Sequence, residues 1–227
     1  GPMCRTVADA AVLLGALAGE DPRDPATAAA RGRAAADYRV FLDAGGLRGA
    51  RLGVARNLFR AGPMVNRLME SALAALRAAG AVLVDPADIP YAGTYDDAEQ
   101  EVLLHEFKAG INAYLAALGP PVPYRNLADL IRFNEENRER EMPYFGQELF
   151  VEAQSKGDLA SRVYRKALRE CRSHARTKGI DAVLARERLD AIVAPTGGPA
   201  WTTDLVNGDH FTGDSSTPAA VAGYPSI

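Results

Sequence analysis

A strand–helix–strand unit is the feature of this sequence that most constrains its fold. The stretch "RLGVA" at residues 51–55 has the pattern of a short buried strand, and "AVLVD" at residues 81–85 that of a second. Between them, apolar residues recur at helical spacing from Met64 to Ala79. Two strands joined by one helix at this distance form a right-handed parallel crossover. The sequence therefore predicts an α/β protein that contains a parallel pair of strands.

Four further helices and a third strand are expected around this unit. A helix is predicted for Thr6–Ala18, with Gly19 as its stop signal, and another for Asp96–Leu118, which ends before Gly119 and two prolines. The apolar arc of the second helix comprises Leu103, Phe107, Ile111, Tyr114, Leu115 and Leu118. The stretch "GEDPRDPATAAARGRAAADY" at residues 19–38 is predicted to be a loop or a weak, alanine-rich helix.

The last third of the chain begins with a basic helix. The helix is predicted for Ala160–Lys178, with four residues turned inward: Val163, Ala167, Cys171 and Ala175. A strand "AIVAP" follows at Ala191–Pro195, and Thr217 with Pro218 is a typical N-cap and first residue of a final helix.

Composition and charge exclude several classes of protein. The formal net charge of −3 favours neither nucleic acid nor anionic lipid. The arginines of the basic helix lack interleaved aromatic residues, so they indicate a solvated face. No apolar run approaches the roughly 18 residues that a membrane-spanning helix needs. Cys4 and Cys171 have no metal-ligand neighbours in sequence, so two reduced thiols are expected, which fits a cytoplasmic protein.

Few motifs point to metal, nucleotide or triad chemistry. Glu101 and His105 lie four residues apart on a helix, but no further ligands follow, so a solvated pair is expected and no metal site. The turn "VARNLFRAG" lacks the glycine spacing of a dinucleotide site. In "GDSST", Ser215 and Ser216 resemble a nucleophile elbow only in part, and turn or capping hydroxyls are favoured. No histidine is placed by motif beside a serine or cysteine.

The loop after the strand "AIVAP" is the place where a pocket is expected. In α/β sheets, ligands bind beyond the carboxyl ends of the strands. This loop contains polar, aromatic and glycine residues suited to that purpose: Thr196, Gly197, Gly198, Trp201, Asn207 and Asp209. An ordered surface loop with Trp201 packed on the core is an equally good interpretation.

Much of the chain resembles the amidase signature family, most closely the subgroup that includes bacterial peptide amidases. The resemblance begins with "GPMCRTVADA" and "DPRD", so Gly1 and Pro2 are expected to be native residues. It continues nearly to the last residue, through "LRGARLGVARN", "ALAALRAAGAVLVDPADIP", "LLHEFKAGINAYLAAL", "MPYFGQELF", "LDAIVAPTGGPAWTTDLVNGDHF" and "STPAAVAGYPSI".

The resemblance implies a fold and a reaction. The fold would be a mixed β-sheet with helices on both faces. The reaction would be hydrolysis of a carboxamide C–N bond through an acyl-enzyme, without metal or organic cofactor. In this family a nucleophilic serine, a second serine in a cis peptide and a lysine are catalytic, and all three precede the G-P-M segment. No catalytic residue is therefore predicted here, and none of Lys108, Lys156, Lys166 and Lys178 matches the family's lysine motif.

The resemblance also implies substrate-binding residues. The stretches that approach the substrate in relatives correspond to six residues of this chain: Gly197, Trp201, Phe211, Asp214, Ser216 and Thr217. The substrate would be a small or peptide amide.

We interpret the chain, residues 1–227, as one partial amidase domain. Residues 1–50 would supply a helix and a surface connection, residues 51–195 the strand–helix–strand unit and a helical substrate-side region, and residues 196–227 the pocket loop and a helix start. Two alternatives stay open. One is a non-catalytic binding module that forms homodimers through exposed sheet edges. The other is a subunit similar to the amide-transferring A subunit that works with tRNA-bound substrates.

Overall fold

A parallel sheet of three short strands lies at the centre of the larger part of the chain. The structure, a computed structural model, describes residues 3–227, so the expectation for Gly1 and Pro2 lies outside the described residues. The strands are β1 (Arg51–Val54), β2 (Val82–Val84) and β3 (Ala191–Val193), in the order β2-β1-β3. Both pairings are parallel. The predicted α/β class and parallel crossover are confirmed.

The chain forms two compact units, Gly1–Arg48 and Gly49–Ile227. In the first, helix α1 (Val7–Leu17) begins where Thr6 Oγ1 accepts a hydrogen bond from the backbone N–H of Asp9 at 3.1 Å. The rest of this unit contains 3₁₀ turns at Pro25–Ala30 and Tyr38–Phe41. The first of these turns lies in the stretch predicted to be a loop or weak helix, where small side chains offer too little apolar surface to hold a longer helix. The second begins at the last residue of that stretch.

The second unit contains the remaining helices. They are α2 (Pro63–Ala78), α3 (Asp96–Ala117), α4 (Leu127–Glu136), α5 (Arg138–Glu141), α6 (Glu148–Ser155), α7 (Arg162–Cys171), α8 (Asp181–Glu187) and α9 (Thr217–Ala222). A π-helix, Arg172–Ile180, connects α7 directly to α8. The predicted helix end at Lys178 is therefore wrong, since the helical path continues to Glu187. The predicted N-cap at Thr217 is displaced by one residue, because Ser216 holds that position and its side chain makes no cap bond.

The main core joins the carboxyl ends of the strands to the π-helix, α8 and α9. Its buried members are Ala55, Leu58, Ala87, Ile89, Tyr95, Ala175, Ile180, Val183 and Ala222. A smaller cluster of Leu104, Leu127 and Ala153 holds α3, α4 and α6 together. The two clusters position the start of α3 and the segment after β3 at the same end of the sheet.

The predicted inner faces of two helices are only partly correct. On α3, Leu115 is buried as predicted, but Leu103, Phe107 and Tyr114 are exposed, and Leu104 and His105 are buried instead. On the basic helix, Ala167, Cys171 and Ala175 are buried as predicted, and only Val163 of the four predicted residues is exposed. Apolar periodicity cannot choose between adjacent apolar arcs of one helix, and here the packing of α3 against α6 and α7 decides which arc is covered.

Candidate functional site

The loop that follows β3 is closed at its base by a short antiparallel contact. Gly197 and Asp214 form an isolated β-bridge, and the backbone N–H of Ser215 donates to the carbonyl oxygen of Thr196 at 3.4 Å. Residues 197–214 thus form a loop whose two ends touch beyond the carboxyl end of β3. Ligands in α/β folds bind in this region of the sheet.

Two aromatic side chains lie along this loop. The indole N–H of Trp201 donates to Asp209 Oδ1 at 3.2 Å, which fixes the orientation of the ring. Phe211 meets Trp201 edge to face, with 6.4 Å between ring centroids. Both rings remain exposed, so they present apolar surface to solvent. The predicted alternative of a tryptophan packed into the core is wrong.

Asp204 organises the turn opposite these rings. Its carboxylate accepts hydrogen bonds from the backbone N–H groups of Val206 and Asn207, both at 2.9 Å, and from Asn207 Nδ2 at 2.8 Å. The bonds from Asn207 and Val206 hold the pKa of Asp204 below its usual value, so this carboxyl is ionised at neutral pH.

An open groove of about 500 Å³ lies on the loop. Its lining combines one aromatic ring with acidic and amide groups: Trp201, Thr202, Asp204, Asn207, Gly208, Asp209 and His210. Such a surface can contact an apolar side chain and accept hydrogen bonds from amide N–H groups. The two carboxylates make the groove unfavourable for an anionic ligand.

The six predicted substrate-binding residues fall into separate groups. Gly197 and Asp214 form the base of the loop, and Trp201 pairs with Phe211. Ser216 and Thr217 lie at the start of α9, where the backbone N–H of Ser216 donates to Asp214 Oδ1 at 3.2 Å. Of the six, Trp201 alone lines the groove.

The serines of "GDSST" have no base beside them in the described part of the chain. Neither the Ser215 nor the Ser216 hydroxyl hydrogen-bonds to a histidine among residues 3–227. Ser216 is exposed at the N-terminus of a six-residue helix. These positions agree with the turn interpretation of the two hydroxyls.

A partly buried acidic residue lies near the base of the loop. Burial raises the pKa of Glu99, in the first turn of α3, and the negative charges of Asp96 and Asp214 add to this effect. Tyr95, one turn earlier, is 1% exposed, and its hydroxyl has no hydrogen-bond partner among the described residues. Burial raises the pKa of Tyr95 to about 12. No sequence signal links Glu99 to Asp214, because 115 positions separate them and the fold alone brings them near each other.

Glu99 is expected to make the stability of the protein depend on pH. A carboxyl whose folded-state pKa lies above its unfolded value destabilises the fold once it ionises, so stability falls as pH rises from about 4.5 through the folded pKa. Glu99→Gln should therefore raise the free energy of unfolding at pH 7 by at most about 1 kcal/mol after solvent screening, and with it the melting temperature, and have little effect at pH 4. Thermal melts from pH 4 to pH 8 measure this, with the exposed Glu139→Gln as control. Equal melting temperatures of Glu99→Gln and the parent at pH 7 would contradict the prediction.

His105 belongs to a buried network and not to a solvated pair. Its ring is 2% exposed, and Nδ1 lies 2.9 Å from the carbonyl oxygen and 3.3 Å from Oε1 of Glu101. Ser161 Oγ lies 3.2 Å from His105 Nε2 and also accepts the backbone N–H of Tyr164, which caps α7. The expectation of a solvated Glu–His pair is wrong. The serine beside His105 lies 56 residues away in sequence, so no local motif could indicate it. The network is structural, because the ring is enclosed and the hydroxyl is committed to the cap.

Two lysines hold α6 in this network. Lys108 Nζ donates to the carbonyl oxygens of Gln154 at 2.8 Å and Lys156 at 2.6 Å, at the end of α6. Lys156 Nζ pairs with Glu101 Oε2 at 2.8 Å, and this hydrogen bond raises the pKa of Lys156. Both ammonium groups thus have structural roles, which agrees with the absence of a family lysine motif around them.

Residues 3–227 contain neither a candidate metal site nor a helix suited to cross a membrane. No set of three or more His, Cys, Asp or Glu side chains in this part of the chain is arranged to hold a metal ion. None of the helices described there combines the length and apolarity needed to cross a bilayer.

Comparison with known proteins relates the whole chain to one family. The amidase family model matches residues 1–227. The structure superimposes on the native peptide amidase of Stenotrophomonas maltophilia with a TM-score of 0.87 and 47% identity, covering 98% of this chain and 44% of that one. On the peptide amidase PAM in complex with the competitive inhibitor chymostatin it superimposes with a TM-score of 0.91, again at 47% identity, covering 98% of this chain and 45% of the other.

A curated relative from a plant agrees with these structural matches. A probable amidase of Arabidopsis thaliana is 34% identical over 233 residues, which covers 100% of this chain and 40% of that protein. The chain thus spans less than half the length of the relatives it matches. Its α/β fold is that of the corresponding part of these amidases. The chain belongs to the amidase signature family.

Proposed function

We propose that the protein to which this chain belongs hydrolyses the C–N bond of a carboxamide, with a peptide amide as the favoured substrate class. The observation that carries the proposal is the likeness to peptide amidase over 98% of the chain at 47% identity. Family resemblance supplies the reaction scheme. A serine attacks the amide carbonyl, an acyl-enzyme forms as the amine leaves, and a neutral lysine passes the proton from the nucleophile to the leaving amine.

In this scheme the chain has the role of binding substrate. We propose that Gly197, Trp201, Phe211, Asp214, Ser216 and Thr217 contact it. The exposed rings of Trp201 and Phe211 offer apolar surface to a substrate side chain, and Asp209 holds the indole in place. The bridge between Gly197 and Asp214 keeps the loop closed.

The charge of the groove supports a peptide amide as ligand. Asp204 and Asp209 line it, and the lowered pKa of Asp204 keeps that group ionised at neutral pH. A peptide with a free C-terminal carboxylate would be repelled by these groups, whereas a peptide amide carries no charge at that end.

The hydrolase is preferred over the two alternatives. Likeness to peptide amidase extends over nearly the whole chain, whereas an amide-transferring subunit would need an ammonia source and partner subunits. A non-catalytic binding module could use the same groove, so the likeness to peptide amidase is what favours the hydrolase over it. We also propose that this chain alone is inactive, that it has no nucleic-acid partner, and that it works in the cytoplasm, where its two free cysteines would stay reduced.

Ammonia release tests the proposed reaction. The chain is compared with a chimeric amidase, in which it replaces the aligned 44% of the Stenotrophomonas maltophilia peptide amidase. We expect the chimeric amidase to release ammonia from peptide carboxamides and the 227-residue chain to release none. Turnover by the chain alone would contradict the proposed division of roles, and a folded chimera inactive on every peptide and aryl carboxamide would contradict the proposed reaction.

Trp201→Ala in the chimeric amidase tests the groove. Loss of a large aromatic contact should raise KM about tenfold while kcat changes less, because binding in the ground and transition states is weakened alike. Leu205→Ala is the matched control, since it removes a half-exposed side chain of the same loop that does not line the groove. Steady-state kinetics with one peptide amide measure both variants. If KM were unchanged in Trp201→Ala, the proposed contact between Trp201 and the substrate would be contradicted.

A further inference from the structure

The groove on the loop after β3 carries negative charge without a cation beside it. The carboxylate of Asp204 is ionised because N–H donors of Asn207 and Val206 lower its pKa, and no lysine or arginine contributes to that effect. Asp209 uses one oxygen, Oδ1, to accept the indole N–H of Trp201. Among residues 3–227, no lysine or arginine lines the groove. The two carboxylates therefore attract a cationic group of a ligand.

The aromatic part of the groove lies beside these charges. Trp201 is 42% exposed, and its hydrogen bond holds the edge of the indole against the carboxylate of Asp209. A cation within about 6 Å of an aromatic ring centre is attracted by the ring face, most strongly by that of tryptophan. A planar guanidinium can stack on such a face while its N–H groups reach a carboxylate. Ring and carboxylates thus favour the same ligand through two different physical effects.

The size and the donor groups of the groove favour an organic cation over a metal ion. Its volume of about 500 Å³ is that of a site for a small organic group. In the part of the chain that the structure describes, no three His, Cys, Asp or Glu side chains are arranged to hold a metal ion. A guanidinium is more weakly hydrated than an ammonium, so it loses less when it leaves water for this surface.

We propose that the groove selects peptide amides with a cationic side chain, arginine above lysine, and that Trp201, Asp204 and Asp209 contact the guanidinium group. The proposal deepens the proposed function and rests on it, because the ligand is the substrate of that reaction. An uncharged side chain of the same shape would keep its contact with the indole and lose the attraction to both carboxylates.

Tryptophan fluorescence tests the proposal without any reaction, because Trp201 is the only tryptophan in the sequence. The 227-residue chain is titrated with N-acetylargininamide and with N-acetylcitrullinamide, whose side chain has nearly the same shape and no charge. We expect the arginine compound to bind about tenfold more tightly at low ionic strength, since one exposed cation–π contact and two surface ion pairs are each weak. The difference should shrink at about 1 M NaCl, where charges are screened within about 3 Å.

Two isosteric variants test the carboxylates one at a time. Asp204→Asn and Asp209→Asn each remove one charge and keep an acceptor oxygen, for the turn in the first case and for the indole N–H in the second. Each should lower the ratio of the two affinities about threefold. Glu139→Gln, exposed on α5 and outside the groove, is the control and should leave the ratio unchanged. Equal affinities in the parent chain, or a ratio that neither aspartate variant lowers, would overturn the proposal.

Hydrolysis by the chimeric amidase separates this proposal from the proposed function. Two dipeptide amides that differ only in an arginine or a citrulline side chain are compared, and we expect KM to be about tenfold lower for the arginine compound, with a smaller change in kcat. Equal hydrolysis of the two amides would overturn the proposal and leave the proposed function standing. If the chimera hydrolyses neither, the proposed function fails and the fluorescence titration decides whether the groove binds a guanidinium. If the chain binds neither ligand, the ratio of the two KM values decides, and a ratio near one overturns the proposal.

Discussion

Gly53→Ala is expected to lower the free energy of unfolding by about 2 kcal/mol, because the central strand has no room for a methyl group. A Cβ at this position would lie 2.4 Å from Leu189 Cδ1 and 2.9 Å from Ala87 Cβ. The leucine can rotate, but Ala87 is 1% exposed and belongs to the main core, so the backbone itself would have to shift. Gly53 also pairs with both β2 and β3, and a shift would disturb both ladders.

Gly110→Ala is the matched control for this prediction. Gly110 lies in the exposed middle of α3, and a Cβ there would meet nothing within 4 Å. The same change should therefore raise the free energy of unfolding there by up to about 1 kcal/mol, because alanine is the better helix former. Urea denaturation of the chimeric amidase measures both variants. If Gly53→Ala were as stable as the parent, the close packing of β1 described here would be incorrect.

His105→Ala is expected to cost about 3 kcal/mol of unfolding free energy. The substitution leaves a cavity where the ring lies against Tyr164, at 5.5 Å between ring centroids. It also removes the partner of the Ser161 hydroxyl and the contact to Glu101, so buried polar groups lose their hydrogen bonds. Because the network joins α3 to α6 and α7, the whole helical region should lose stability together.

The control for this prediction is His210→Ala. His210 is exposed on the loop after β3, so its loss should change the free energy of unfolding by less than about 0.5 kcal/mol. Circular dichroism at increasing urea concentration compares the two variants. If His105→Ala and His210→Ala unfolded at the same urea concentration, the buried network would contribute nothing to stability.

Local patterns predicted most of the regular structure. The strands predicted within residues 51–55 and 81–85 are the parallel strands β1 and β2, since two short apolar runs separated by one helix leave few other arrangements. The helix predicted for Thr6–Ala18 is α1, with Thr6 as its cap. Its exposed leucines could not be predicted, because periodicity shows that a helix forms and does not show what covers it.

The candidate site was predicted only in part. Its place after β3 follows from the general geometry of α/β sheets, and the loop is there. The pairing of Trp201 with Asp209 and the approach of Glu99 to Asp214 depend on how the chain turns back over the sheet. No local sequence pattern indicates such contacts, because the residues that make them are far apart in sequence or follow no helix or strand period.

The α/β class, the parallel strand pair and the amidase ancestry can be derived from the sequence alone. Short-range periodicity and segments that resemble a family are properties of the chain before it folds. The burial of His105 against Ser161, 56 residues away, and the exposure of the α1 leucines are seen only in the folded chain. Burial depends on which two elements pack together. The inner face of a helix or strand is therefore set by the neighbouring element that shields it from water.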